Sequence, residues 1–156
     1  MLNLMRSWIQ NQRDSADSID PEALVRQAVC ALLLEIAHGD DRFTAAERDR
    51  ILAVLGNRYD LSREQANELI AASRKALRDS TDLWQFARHI NEHRSTAEKV
   101  QIIEALWRVI YADGKLDQHE DYLIHKMSTL LRLEHKQLID AKLKVLAEMR
   151  HEIEGD

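Results

Sequence analysis

The chain has 156 residues, 45% of them hydrophobic and 31% charged, enough for one globular domain with a sizeable core. Its net charge of −5 does not favour nucleic acid as a partner, and its single cysteine, Cys30, excludes a disulfide framework or a thiolate metal cluster within one chain. Four glycines and one proline argue against a β-rich fold and leave too little glycine for a phosphate-cradling loop besides ordinary turns.

Residues 1–12 place Leu2, Met5, Trp8 and Ile9 on one helical face, flanked by Arg6 and Arg13. This amphipathic segment docks on its own core or on a second copy of the chain, or else lies on a membrane surface. Residues 11–20 are polar and read as a linker, so residues 1–20 form a leading segment and residues 21–150 the helical domain. No signal-peptide layout and no apolar run long enough for a bilayer is present, and the expected location is the cytoplasm.

Asp20-Pro21-Glu22 starts a helix, with Asp as N-cap, Pro at the first helical position and an acid in the first turn. Leu24, Ala28, Val29, Leu32, Leu33 and Ile36 follow at helical spacing to a stop near Gly39. Cys30 lies on this apolar stretch, where an inert core thiol is expected. Thr44 opens a helix bearing Ile51, Leu52 and Leu55, with a stop expected around Gly56-Asn57. Ser62 opens one with Leu69, Ile70 and Leu77; Leu83, Phe86, Ala87 and Ile90 make a short one; Ser95 opens one with Ile102, Ile103, Leu106, Val109 and Ile110. Asp117 opens a helix with Leu123, Ile124, Met127, Leu130 and Leu131, and residues 138–149 form a charge-rich last helix. Trp84 and Trp107, both in helical segments, are expected in the core. The fold class is all-α, a single domain of about seven to eight helices.

Four of these starts share one grammar: Thr44 with Glu47, Ser62 with Gln65, Ser95 with Glu98 and Asp117 with Glu120. In such a box the cap side chain accepts from a backbone N–H three residues on, and the Glu or Gln there reaches back. Each cap contributes about 1 kcal/mol.

Two of the starts belong to a turn that occurs twice. Asp40, Asp41 and Glu47 in the first copy and Asp113, Asp117 and Glu120 in the second follow one apolar helix and open another, 73 positions apart. Set against a calcium-binding EF-hand loop with Glu120 at the twelfth position, Asp117 is ninth, Gly114 sixth and Asp113 fifth. The front half fails, because Val109 and Tyr111 hold the first and third positions. In the first copy Asp41 replaces the glycine, and Ile36 and His38 hold those two places. Two readings stay open. Asp113, Asp117 and Glu120, with Asp40, Asp41 and Glu47, can be metal ligands for a weakly bound divalent cation such as calcium, or they can serve only as helix stops and caps. Packed about a pseudo-twofold axis, the two turns would share one acidic face suited to a cation or a basic partner.

The run Glu104-Ala105-Leu106-Trp107-Arg108-Val109-Ile110-Tyr111-Ala112-Asp113-Gly114-Lys115-Leu116-Asp117 resembles the second repeat of the tellurite-resistance TerB family. Ala31 to Ala37 with Asp40 to Glu47 resembles its first repeat, and the likeness spans roughly residues 22–145. The resemblance implies a single all-α domain of two pseudo-symmetric helical units, like the N-terminal domain of DjlA-type co-chaperones. It also implies a non-enzymatic binding module in tellurite and stress resistance, acting in complexes at the inner face of the membrane. Protein partners are expected, with homodimerisation as one form, and the alternative is a metal-independent interaction domain. Asp41 and Thr44 depart from the family motif and weaken the first turn as a metal site.

His89 and His93 have the i, i+4 spacing of two zinc ligands, but no third ligand stands near them and a solvated helix face is expected. No Ser-His-Asp order or paired-carboxylate motif stands out.

Overall fold

The computed structural model describes residues 20–37, 44–113 and 116–154. Among them are seven α-helices and one 3₁₀ turn: α1 (Pro21–Ala37), α2 (Ala45–Tyr59), α3 (Arg63–Asp79), α4 (Trp84–His93), α5 (Thr96–Ile110), the 3₁₀ turn Tyr111–Asp113, α6 (Gln118–Leu130) and α7 (His135–Glu154). None of the described residues is in a strand, and none of the described helices is long and apolar enough to cross a membrane. The leading segment, residues 1–19, lies outside the described residues.

Two helices form the interior. From Ala28 to Leu34 every residue of α1 is buried, which requires neighbours on all sides. They are α3, α4 and α5. The second is α5, buried without a break from Ile102 to Trp107 and packed on α1 and α7. A helix buried on all sides belongs in a core, with Glu104 of α5 held there by Lys144, whereas the surrounding helices bury one stripe each.

The sequence duplication extends over three helices. Thr44 and Asp117, the N-caps of α2 and α6, are 73 positions apart. Shifted by that interval, α1 falls on α5, α2 on α6 and α3 on α7. Helix α4 links the two units.

The capping boxes of Ser62–Gln65, Ser95–Glu98 and Asp117–Glu120 form with both reciprocal bonds. At Thr44 the hydroxyl accepts from the Glu47 N–H (3.1 Å), but Glu47 Oε1 accepts from that hydroxyl (2.9 Å) instead of from the Thr44 amide. Asp20 caps α1 as expected, its Oδ1 accepting from the Glu22 N–H at 3.1 Å.

Two boundaries differ from the sequence reading. Helix α2 runs past Gly56 to Tyr59, and the residue that turns the chain is Asp60 (φ 53°). A short polar side chain tolerates the left-handed conformation there, so no glycine is needed. Helix α7 starts at His135, not at 138, because Glu134 takes the cap position, its N–H donating to Gln137 Oε1 at 2.8 Å. Just before it, left-handed Arg132 (φ 60°) closes α6: its N–H bonds to Thr129 O and the Leu133 N–H to Ser128 O, both at 3.0 Å. This is the paired bonding of a Schellman stop, with Leu133 turned into the core.

Trp107 is fully buried and Trp84 is 57% exposed. The stripe Leu83, Phe86, Ala87 and Ile90 turns the other side of α4 outward, and the Arg88 guanidinium covers the Trp84 ring at 5.5 Å.

Cys30 is fully buried, and burial pushes its thiol up to about 11 against a weaker opposing hydrogen bond with Ser73. The thiolate is the reactive form. Cys30 is therefore expected to resist a colorimetric disulfide reagent at pH 8 and to react at once in denaturant. Prompt labelling of the native protein would contradict the packing of α1.

Arg94 precedes α5 and reaches back to the start of α1, where its guanidinium grips both carboxylate oxygens of Glu22, with Nη1 to Oε1 at 2.8 Å. Glu98 lies 3.7 Å from its Nε. The hydrogen bond from Arg94 holds the Glu22 carboxyl below its usual range; the Ser95 backbone and hydroxyl do the same for Glu98. A depressed folded value stabilises the protein above the unfolded value, about 4.3 for Glu, and the benefit is lost as pH falls through the folded value. Arg94→Leu is thus expected to melt earlier than wild type at pH 7, with the two melting temperatures converging toward pH 3. A constant gap across that range would show that Arg94 acts through packing alone.

Candidate functional site

The second acidic turn is built by the end of α5, the 3₁₀ turn and the start of α6. Its described carboxylates serve the helix end. Asp117 Oδ1 accepts from the Glu120 N–H at 2.7 Å, and Glu120 Oε1 accepts from the Asp117 N–H at 3.1 Å. Asp117 and His119 are exposed and Glu120 is half-buried. In the first turn Glu47 is likewise half-buried and bonded to Thr44. Asp40 and Asp41 lie outside the described residues, and for Asp113 only the backbone of the 3₁₀ turn is described.

Calcium takes roughly six to eight oxygen ligands, including a bidentate Glu at the end of an EF-hand loop. Bidentate ligation by Glu120 would break its bond to the Asp117 amide. Val109, in the place of the first ligand, is 2% exposed within α5, and Tyr111, in the place of the third, stacks on Trp107 with centroids 6.0 Å apart. Those positions belong to the core, so the turn does not fit an EF-hand calcium loop. Among the described residues no group of three or more His, Cys, Asp or Glu side chains is placed to hold a metal ion.

The first turns of α6 carry more than acids. Tyr122 is 64% exposed, beside half-buried Asp121. His125 Nδ1 lies 2.8 Å from the Asp121 carbonyl and 3.5 Å from its Oδ1, and the His125 and His135 rings are 5.8 Å apart. His89 is half-buried and His93 exposed on α4.

A feature the sequence did not reveal lies elsewhere. A cleft of about 890 Å³ is walled by the start of α1, one face of α2, the start and middle of α5, and Lys144 of α7. Six cationic side chains line it: Arg26, Arg50, Arg58, Arg94, Arg108 and Lys144. They come from distant points of the chain and share no motif. The one local signal is on α2, where Arg50, Val54, Asn57 and Arg58 fall on one helical face.

Comparison with solved structures finds a protein of unknown function from Porphyromonas gingivalis W83, with TM-score 0.60 and 19% identity over 79% of this chain and 88% of that one. At that identity the likeness speaks for the fold, which is the same helical architecture. No curated protein sequence matches the chain. A family model described as tellurite resistance protein TerB matches residues 26–143, a stretch that contains both acidic turns and all of α2 to α6. The chain belongs to the TerB family.

Proposed function

We propose that this protein is a non-enzymatic binding module of the tellurite and stress response, working at the cytoplasmic face of the inner membrane. Its second acidic turn docks a protein partner with a basic face. The observation that carries this reading is Tyr122, 64% exposed and flanked along the chain by Asp117, Glu120 and Asp121. Exposed tyrosines are frequent anchors of interfaces, and surrounding carboxylates steer and align a basic partner. Membership of the TerB family supports the stress-related part of the reading.

A second reading uses the same turn for a weakly held divalent cation. It is favoured by Asp117 and Glu120 lying within one helical turn of each other.

The two readings separate cleanly, because charge can be removed without losing the cap. Asn caps as well as Asp, and Gln replaces Glu in a capping box. Asp117→Asn with Glu120→Gln is expected to keep the melting temperature within a few degrees. Partners captured by the wild type and identified by mass spectrometry should be lost from this variant and from Tyr122→Ala, whose affinity is expected to fall tenfold or more. Unchanged capture by both variants would sink the docking reading. Calorimetric titration with calcium tests the other: no heat at millimolar calcium removes the cation.

A further inference from the structure

We propose that the cleft between α1, α2 and α5 binds a small molecule carrying two or more phosphate charges. Its walls hold more cation than the molecule's own carboxylates compensate. Arg94 is committed to Glu22 and Glu98, and Lys144 to Glu104 at 2.8 Å. Arg108 is held by Glu148, whose oxygens lie 3.0–3.2 Å away. That leaves Arg26, Arg50 and Arg58, which have no carboxylate within salt-bridge reach among the described residues. Of the four carboxylates on the cleft wall only Asp60 remains to set against them. In a chain of net charge −5, three arginines without a direct carboxylate partner on one concave wall, Arg26 sensed by Glu22 only at a distance, are a local reversal of sign.

Tyr59 organises two of them. The guanidinium of Arg26 lies over its ring at 5.5 Å and that of Arg58 at 5.7 Å, with Arg58 Nε donating to the hydroxyl at 3.3 Å. Both arginines are half-buried, and Arg26 Nε is shut off from solvent with no hydrogen-bond partner among the described residues. A guanidinium without a carboxylate partner keeps its fork of donors available, and an entering oxyanion supplies acceptors to it. Guanidinium groups oriented by an aromatic ring lose less freedom on binding than lysines would. With two guanidinium groups held against the Tyr59 ring, the site offers charge and fork-shaped donors. A single carboxylate would engage one fork; a phosphate or diphosphate, with more oxygens and more charge, can engage several. The volume falls within the range of small-molecule sites.

The proposal stands apart from the acidic turn, which the cleft does not include. The full chain is titrated with inorganic pyrophosphate by calorimetry at low salt, without divalent ions. Binding is expected, weakening as salt is raised. Arg26→Gln and Arg58→Gln are each expected to lower affinity about tenfold, and Arg50→Gln several-fold. Arg88→Gln, on α4 outside the cleft, should leave it unchanged. Arg50 is on the half-buried face of α2 and keeps the test open if the Arg26 variant does not fold. No binding heat at millimolar pyrophosphate overturns the site. So does binding that all three cleft variants retain.

The source of the phosphate is read from a second arm, flotation with vesicles containing phosphatidylglycerol. Capture by the vesicles that pyrophosphate displaces and Arg58→Gln abolishes supports the site with a lipid headgroup as its ligand. Pyrophosphate binding without vesicle capture supports it with a soluble phosphate ester.

Discussion

Trp107→Ala is expected to cost about 3–5 kcal/mol, the range for deleting a fully buried large aromatic side chain. The indole is 0% exposed in the middle of the second interior helix. Its Nε1–H donates to Leu138 O at 3.0 Å, the Tyr111 ring stacks on it, and Lys142 Nζ lies 5.4 Å from its centroid. One side chain thus joins α5, the 3₁₀ turn and the first turns of α7. In a chain of this size the loss corresponds to a fall of roughly 10–15 °C in melting temperature. Trp107→Phe keeps most of the apolar volume and loses the hydrogen bond, so it should lie well between wild type and Ala. Equilibrium urea unfolding measures both, and a Trp107→Ala cost under about 1 kcal/mol would refute this account of the core.

Leu33→Ala is the second large effect, at about 3 kcal/mol. Leu32, Leu33 and Leu34 are consecutive and each is at most 1% exposed. Consecutive helical positions point some 100° apart, so three buried in a row means that α1 is enclosed. The neighbours that enclose it belong to both halves of the molecule, α3 to the first unit and α5 to the second. Relaxation into a cavity there would have to move several helices at once, and the cavity is expected to stay open. Leu24→Ala, at a half-buried position of the same helix, should cost much less. Equal losses at positions 24 and 33 would contradict an enclosed α1.

The contrast between these helices and the two candidate regions explains what could be read from the chain. Capping is local, so Ser62, Ser95 and Asp117 announced their helices within four residues. The apolar stripes of α4 and α5 were equally plain, and the repeated Asp-rich turn identified the family. The end of α2 was hidden because Asp60, not a glycine, takes the left-handed turn. The start of α7 was hidden because Glu134 is an atypical cap. Trp84 and Trp107 are the same residue type with opposite fates, decided by which side of its helix each occupies. Of the acidic turn, the sequence yielded its residues and the box of Asp117 and Glu120. The exposure of Tyr122 needed the packing of α6. The arginine cleft was beyond reach, since Arg26, Arg58 and Arg94 meet only after three separate helices have packed.

The repeat carries a consequence for ancestry. Because α1 and α5 hold matching places in the two units and pack on each other, the seam between the units is the interior of the molecule. A chain of half this length would present one bare apolar helix and could cover it only with a copy of itself. Joining two such halves end to end turns an encounter that depends on concentration into one that is always satisfied. It also releases the halves from having to remain identical. The first can then cap its second helix with Thr44 where the other unit uses Asp117, and arginines of both units can gather in one cleft.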